Sequence, residues 1–124
     1  MAGFAASRDN QAASVVGLDI SQKMLTQAHS MTQGNGIVYR REDLETLSLS
    51  PNSFDLVYSS LALHYLRDIA RLFVTIYQSL TPGGMLVFSA EHPIYTAPLN
   101  QGWIKDKTGQ QSWPVNHYQQ EGTR

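Results

Sequence analysis

The chain has 124 residues and a formal net charge of -1, so one domain around one core is expected and a basic nucleic-acid surface is not. It contains no cysteine, which excludes disulfides and thiolate nucleophiles and favours a reducing compartment, here the cytoplasm. No apolar run approaches the ~18 residues that span a bilayer, so we expect no membrane association. Because the composition and charge suggest neither a disordered tail nor a basic nucleic-acid surface, we expect a small-molecule partner.

A strand followed by a helix is the first strong pattern along the chain. Residues 1–14 carry several alanines but little bulky apolar surface, so they predict only a weak helix. Val15–Ile20 is an apolar, β-branched run that predicts a buried strand with Asp19 at its carboxyl end. Ser21 is a favoured N-cap residue, and apolar side chains at helical spacing predict a helix over residues 22–31.

A second strand also ends in acidic residues. Ile37–Arg40 predicts this strand, and the charged stretch Glu42–Leu44 marks the point where the chain leaves the sheet. Leu47 and Leu49 are spaced for a loop that packs on the core. Two strand ends therefore present carboxylates.

The stretch around Phe54–Tyr58 predicts a third strand, mostly apolar and typical of a strand covered on both faces in a parallel sheet. Ser59 and Ser60 follow it directly. Ligands of open α/β sheets bind beyond the carboxyl ends of the strands, so both hydroxyls are candidates for ligand-facing positions. An ordinary helix N-cap is the alternative for these serines, and the local sequence leaves both open.

The best helix and a fourth strand complete the periodic part of the chain. Apolar residues recur three and four apart from Asp68 to about Leu80, including Ile69, Leu72, Phe73, Ile76 and Tyr77. Thr81–Gly84 supplies turn chemistry, and Met85–Ala90 predicts a strand. The alternation of strands and helices predicts an α/β fold with a parallel sheet.

Composition changes after Ala90. We therefore divide one α/β domain at this point, into residues 1–90, which carry the alternating strands and helices, and residues 91–124, a lid or hairpin segment of the same domain. In the second segment, Trp103–Lys105 and Gln110–Trp113 resemble the strands of a small hairpin with Gly109 in the turn.

Four motifs in a fixed order carry a resemblance to a known family. They are Val16–Ser21, Glu42–Leu44, Phe54–Val57 and Leu80–Gly84. Together they resemble the class I S-adenosylmethionine-dependent methyltransferases, and in particular the small-molecule, type 11-like branch. The resemblance implies a Rossmann-like fold, S-adenosyl-L-methionine as the cofactor and a small-molecule methyl acceptor.

The resemblance also implies roles for particular residues. Asp19 would accept hydrogen bonds from both ribose hydroxyls of the cofactor, and Asp43 would accept from the adenine amino group. The other implied cofactor-binding positions are Ile20, Met24, Leu44, Ser59, Ser60 and Leu61. Core packing is the alternative for Ile20 and Met24, and a helix or turn cap is the alternative for Asp43.

Two histidines are candidates for a catalytic base. His64 and His92 each follow a predicted strand, and an imidazole near its ordinary pKa can accept a proton at neutral pH. Packing within a helix is the stronger alternative for His64, which lies among apolar residues. The histidines of the chain show no metal-ligand spacing, so no metal site is expected.

The chain departs from the family at both ends of the motif set. We find no counterpart of the family's first strand and glycine-rich loop, nor of its closing strands, so an incomplete sheet is expected. Either Val15–Ile20 pairs directly with Phe54–Tyr58, or self-association with a second chain covers the opening, or the chain is loosely packed. A noncatalytic fragment or interaction module is thus the main alternative function, and an NAD-dependent oxidoreductase using Asp19 is a weaker one.

Overall fold

The structure is a computed structural model that describes residues 14–32 and 36–120. The chain divides into two compact units, Met1–Ala90 and Glu91–Arg124. The elements of the first unit are β1 Val15–Asp19, α1 Gln22–Met31, β2 Ile37–Arg41, β3 Phe54–Ser60, a 3-10 helix Leu63–Tyr65, α2 Ile69–Ser79 and β4 Leu80–Ser89. The second unit contains α3 Pro93–Thr96, β5 Ile104–Lys105 and β6 Gln111–Ser112.

β1 and α1 form where the sequence predicts them. Val15 and Leu18 are buried, as expected for apolar residues of a covered strand. Ser21 is the N-cap of α1, and its Oγ accepts a hydrogen bond from the Met24 amide at 3.4 Å. The weak helix predicted for residues 1–14 lies outside the described residues, apart from Ser14, which is not helical.

The four strands of the first unit form two parallel pairs, β1 with β2 and β3 with β4. Among the described strands β1 and β3 do not pair, so the predicted alternative of direct pairing is wrong. Leu18 of β1 and Val57 of β3 nevertheless belong to one hydrophobic cluster. Side-chain packing rather than backbone hydrogen bonding therefore joins the two pairs.

Glycines shape the start of β4, which begins at Leu80 rather than at the predicted Met85. Thr81–Gly84 bulges out of the ladder between two paired positions. Gly83 has a φ of 84°, a left-handed conformation that glycine adopts most easily. A Cβ at Gly84 would lie 3.0–3.2 Å from two backbone carbonyl oxygens, so a larger residue would force a backbone shift.

The core of the first unit gathers buried residues from β1, β3, α2 and two connecting segments. They are Leu18, Leu47, Val57, Leu63, Leu72 and Ile76. Leu72 and Ile76 confirm the predicted apolar face of α2. Tyr77 was wrongly placed on that face, because it follows Ile76 by one residue, a turn of about 100°, and its side chain is 80% exposed.

One face of the β3–β4 pair is open. Leu56, Met85 and Val87 are 46%, 61% and 47% exposed, and the register places Leu56 opposite Met85. The prediction that the Phe54–Tyr58 strand is covered on both faces was therefore wrong. The apolar run indicated a strand correctly, but the described helices cover only the face of β3 that carries Val57.

The second unit contains the predicted hairpin. β5 and β6 pair antiparallel, and Gly109 in their connection has a φ of 85°. The Thr108 hydroxyl and then its amide donate to Asp106, and these bonds lower the pKa of the Asp106 carboxyl. The hairpin is thus closed by turn chemistry, whereas its function as a lid stays a prediction.

Aromatic side chains hold the second unit together. Trp113 contacts Tyr95 at 5.6 Å and Trp103 at 5.5 Å between ring centroids, both with edge-to-face geometry. The Trp113 indole also donates to the carbonyl of Ile94 at 2.5 Å. Within residues 14–32 and 36–120, no helix has the length and apolarity needed to cross a bilayer.

Candidate functional site

A cavity of about 570 Å³ opens at the carboxyl ends of β1, β2 and β3. It is lined by Leu18, Asp19, Ile20, Glu42, Asp43, Leu44, Glu45, Ser59, Ala62, Tyr65, Leu66 and Arg67. This is the edge at which parallel α/β sheets bind ligands. Five of the residues singled out from the sequence thus meet in one place, although they come from three separate segments.

Asp19 lies at the carboxyl end of β1 and is half-buried. Its Oδ1 accepts a hydrogen bond from the Ser21 amide at 2.8 Å, which fixes the carboxylate beside the N-terminus of α1. A carboxylate offers about four acceptor positions, so this bond leaves it able to accept from a ligand. Asp19 therefore has the chemistry needed to bind a pair of hydroxyl groups.

Asp43 lies in the turn that follows β2. Its Oδ1 accepts from the Glu45 amide at 2.9 Å, and its carbonyl accepts from the Thr46 amide at 3.1 Å. The alternative role of a turn cap is therefore present in the structure. Because Asp43 also lines the cavity, the same carboxylate is held in a fixed orientation beside any ligand there. Leu44 adds apolar surface next to it.

Ser59 belongs to β3 and is 1% exposed. Its Oγ is buried and has no hydrogen-bond partner among the described residues. A buried hydroxyl without a partner is costly, by roughly 1–3 kcal/mol. Since Ser59 lines the cavity, a ligand with a polar group at this depth would satisfy it. The alternative of a helix N-cap is wrong for Ser59 and Ser60, since both lie within the strand.

The cavity combines acidic and apolar walls. Carboxylates come from β1 and the turn after β2, in Asp19, Glu42, Asp43 and Glu45, and apolar surface comes from Leu18, Ile20, Leu44 and Leu66. Such a lining suits a ligand with a flat apolar part and several hydrogen-bond donors. Four carboxylates outnumber the one arginine of the lining, Arg67, so the cavity disfavours anionic groups.

Residues 2–88 match the model of a family described as a methyltransferase domain. The chain belongs to this family. An S-adenosylmethionine dependent methyltransferase from Mesorhizobium loti has a similar structure, with a TM-score of 0.85 and 52% identity over 93% of this chain. That likeness confirms the predicted Rossmann-like fold, here with an incomplete sheet among the described strands.

Two curated methyltransferases are also similar to this methyltransferase domain. Trans-aconitate 2-methyltransferase from Deinococcus radiodurans is 36% identical over 72% of the chain. Malonyl-[acyl-carrier protein] O-methyltransferase from Erwinia billingiae is 33% identical over 72% of it. The chain spans 52% of the Mesorhizobium loti protein and only 36% and 35% of these two relatives. The expected absence of the family's first strand concerns residues 1–13, which lie outside the described part of the chain.

Three of the implied cofactor positions of this methyltransferase domain lie away from the cavity lining. Met24 is half-buried in the first turn of α1 but is not among the residues that line the cavity. Ser60 accepts a hydrogen bond from the Ser89 hydroxyl at 3.3 Å. Leu61 has a φ of 52° and is exposed. Their binding roles stay predictions, without support from the lining of the cavity.

The candidate catalytic histidines also lie outside that lining. His64 belongs to the 3-10 helix, and its ring lies 4.2 Å from the ring of Tyr65. His92 lies in the second unit, where its Nδ1 accepts from the Ile94 amide at 3.2 Å and its ring stacks on Tyr118. That bond occupies the Nδ1 lone pair of His92 and favours a capping role. The proposed base function of either histidine stays a prediction.

Sequence reasoning missed one wall of the cavity in the methyltransferase domain. This wall comprises Ala62, Tyr65, Leu66 and Arg67. Glu42 and Glu45 also line the cavity and were not predicted as site residues. The two glutamates flank Asp43, so a charged cluster at a strand end was a usable signal. The segment 62–67 contains only a short 3-10 helix, which gives no periodic pattern to detect.

Proposed function

We propose that the cavity binds the nucleoside part of S-adenosyl-L-methionine, and that the protein containing this chain transfers the methyl group to a small-molecule acceptor. The observation that carries the proposal is the meeting of Asp19, Asp43 and Ser59 in one cavity, within a chain that belongs to a methyltransferase family. The lining fits the group: its carboxylates can accept hydrogen bonds from the hydroxyl and amino donors of a nucleoside, and its apolar residues supply a surface for a base.

The chain's own residues would bind and orient the cofactor. Asp19 accepts from the ribose hydroxyls, and Asp43 accepts from the adenine amino group while its turn holds it in place. Ile20 and Leu44 cover the base, and the unpartnered Ser59 hydroxyl binds a polar group deeper in the cavity. The bound cofactor supplies a methyl group activated by a sulfonium. Placement of this kind supplies much of the rate of a displacement reaction.

A small-molecule acceptor is supported by one relative's name, trans-aconitate 2-methyltransferase. The acidic lining also favours a cationic or neutral nucleoside over dinucleotides that carry a pyrophosphate. This feature and the family match both weigh against the alternative of an NAD-dependent oxidoreductase. The noncatalytic alternative differs from the proposal because it predicts that neither cofactor binds in the cavity. Cytoplasmic location, the lack of nucleic-acid partners and self-association stay predictions.

Isothermal titration calorimetry on the purified 124-residue chain tests the proposal. We expect S-adenosylhomocysteine to bind with a micromolar dissociation constant and NAD to give no binding heat. Ser59→Ala should weaken S-adenosylhomocysteine binding about tenfold, because it removes a hydroxyl that the ligand satisfies. Heat from neither compound would favour the noncatalytic alternative, and heat from NAD alone would favour the oxidoreductase.

A further inference from the structure

Arg71 lies in the first turn of α2 and reaches back to the loop that carries Asp43. Its Nη1 donates to the carbonyl of Leu47 at 3.2 Å, and its Nη2 donates to the carbonyl of Leu44 at 3.0 Å. These acceptors come 24 and 27 residues earlier in the chain. One guanidinium therefore bridges the helix to both ends of a short loop segment.

The position of Arg71 is an unfavourable one for a cation. Asp68 is the N-cap of α2, so Arg71 is the third helical residue, where the helix dipole favours acids and a capping box places Glu or Gln. Its Nε is buried and has no acceptor within the described part of the chain. When a residue goes against local helix preferences, the free-energy cost is offset by contacts elsewhere in the fold. The two carbonyl bonds provide that offset.

The bridged segment contains the turn that orients Asp43. Within it, the Glu45 amide donates to Asp43 Oδ1, so the direction of the carboxylate follows the path of the turn. The segment just before α2 also holds Glu45, because the Glu45 Oε1 accepts a hydrogen bond from the Arg67 amide at 2.6 Å. The segment before α2 and the first turn of α2 thus fix the loop at three points.

We propose that Arg71 is a positioning residue, which holds the loop at 43–47 so that Asp43 faces the ligand's amino group. The inference rests on the proposed function, which supplies the partner of Asp43. Arg71 does not line the cavity, so its effect passes through the loop. The planar fork of a guanidinium serves two carbonyls at once, whereas a lysine ammonium is a point charge on a flexible stem.

The test compares Arg71→Lys with Arg40→Lys in the full 124-residue chain. Arg40 is exposed on β2 and lies outside the cavity lining, so its substitution makes the same chemical change without affecting the bridge. We expect Arg71→Lys to weaken S-adenosylhomocysteine binding about tenfold and Arg40→Lys to change it less than about twofold. Equal binding by the wild-type chain and Arg71→Lys would overturn the inference.

A double-mutant cycle separates positioning from general destabilisation. If Arg71 acts through Asp43, the effect of Arg71→Lys on binding should fall below about twofold in an Asp43→Ala background. If Arg71→Lys only loosens the fold, its tenfold effect will persist in that background. The persistent effect would contradict a role through Asp43.

Hydrogen exchange of the unliganded chain tests the bridge without any cofactor. We expect the Glu45 and Thr46 amides to exchange about tenfold faster in Arg71→Lys than in Arg40→Lys, while the Ile76 amide in the middle of α2 is unchanged. A wild-type chain that binds no S-adenosylhomocysteine would count against the proposed function, and the exchange rates would then decide the inference alone. Unchanged exchange at the two turn amides would overturn it.

Discussion

β1 and β3 are both short apolar strands that end at the cavity, yet the structure buries them differently. In β1, Val15 and Leu18 are both buried, and α1 contacts this strand and its neighbour β2. In β3, Val57 is buried on one face while Leu56 is largely exposed on the other. The comparison teaches that an apolar run identifies a strand, whereas the number of covered faces depends on elements elsewhere in the fold.

The comparison also separates stability from binding. The buried face of β3 contributes to the core and places Ser59 in the cavity, whereas its open face contributes to neither. The carboxyl end of β1 contributes Asp19 to the cavity. Substitutions on the two faces of the β3–β4 pair, and at carboxylates inside and outside the cavity, should therefore have sharply different effects.

The largest expected effect sharpens the contrast between the two faces. Leu72 of α2 is fully buried in the cluster that contains Val57, so Leu72→Ala should lower the free energy of unfolding by about 2–5 kcal/mol. Leu56→Ala makes the same chemical change on the open face and should cost less than about 1 kcal/mol. Urea denaturation of both variants measures the difference, and equal losses would mean that the open face is covered in solution.

The next effect concerns binding at the end of β1. Asp19→Ala should weaken S-adenosylhomocysteine binding by about 2–4 kcal/mol, because two charge-assisted bonds to the ribose are lost and their contributions do not add fully. Asp55→Ala, which removes an exposed carboxylate of β3 outside the cavity lining, is the matched control. Calorimetric titration should show little change for the control. Unchanged affinity in Asp19→Ala would show that Asp19 does not bind the ligand.

The smallest effect tests the turn that connects α2 to the paired part of β4. Gly84→Ala should destabilise the chain by about 1–3 kcal/mol, because the added Cβ would press on two backbone carbonyls. Gly36→Ala is the control beside the β1–β2 pair, since a Cβ there has no heavy atom within 4 Å. Thermal melts of the two variants should differ clearly. A Gly84→Ala melt as high as that of Gly36→Ala would show that the turn relaxes without cost.

Much of the fold could be predicted from local signals. Ser21 marks the start of α1 because its side chain satisfies a free amide of the first turn, and Gly109 marks the hairpin turn because of its backbone freedom. Asp19 and Asp43 could be placed at one edge because parallel strands present their carboxyl ends together. These inferences need only a few neighbouring residues and one topological rule.

The remaining features depend on contacts between distant segments. Arg71 is separated from its two acceptors by more than twenty residues, and nothing in the sequence of α2 indicates where its guanidinium points. The exposure of Leu56 could not be predicted either, because it depends on whether other elements pack on that face of the β3–β4 pair and not on the sequence of β3 itself. The prediction that β1 could pair with β3 was wrong because side-chain packing, which local sequence does not reveal, joins these strands without backbone hydrogen bonds.

The central claim is that the ends of β1, β2 and β3 form a nucleoside site in this chain. Amide chemical shifts in a nuclear magnetic resonance titration with S-adenosylhomocysteine test it residue by residue. We predict saturable shifts at Ser21, Glu45, Thr46 and Arg67, whose amides donate to or lie next to the cavity residues. Shifts confined to Leu56, Met85 and Val87 on the open face, or no saturable shifts at all, would contradict the account.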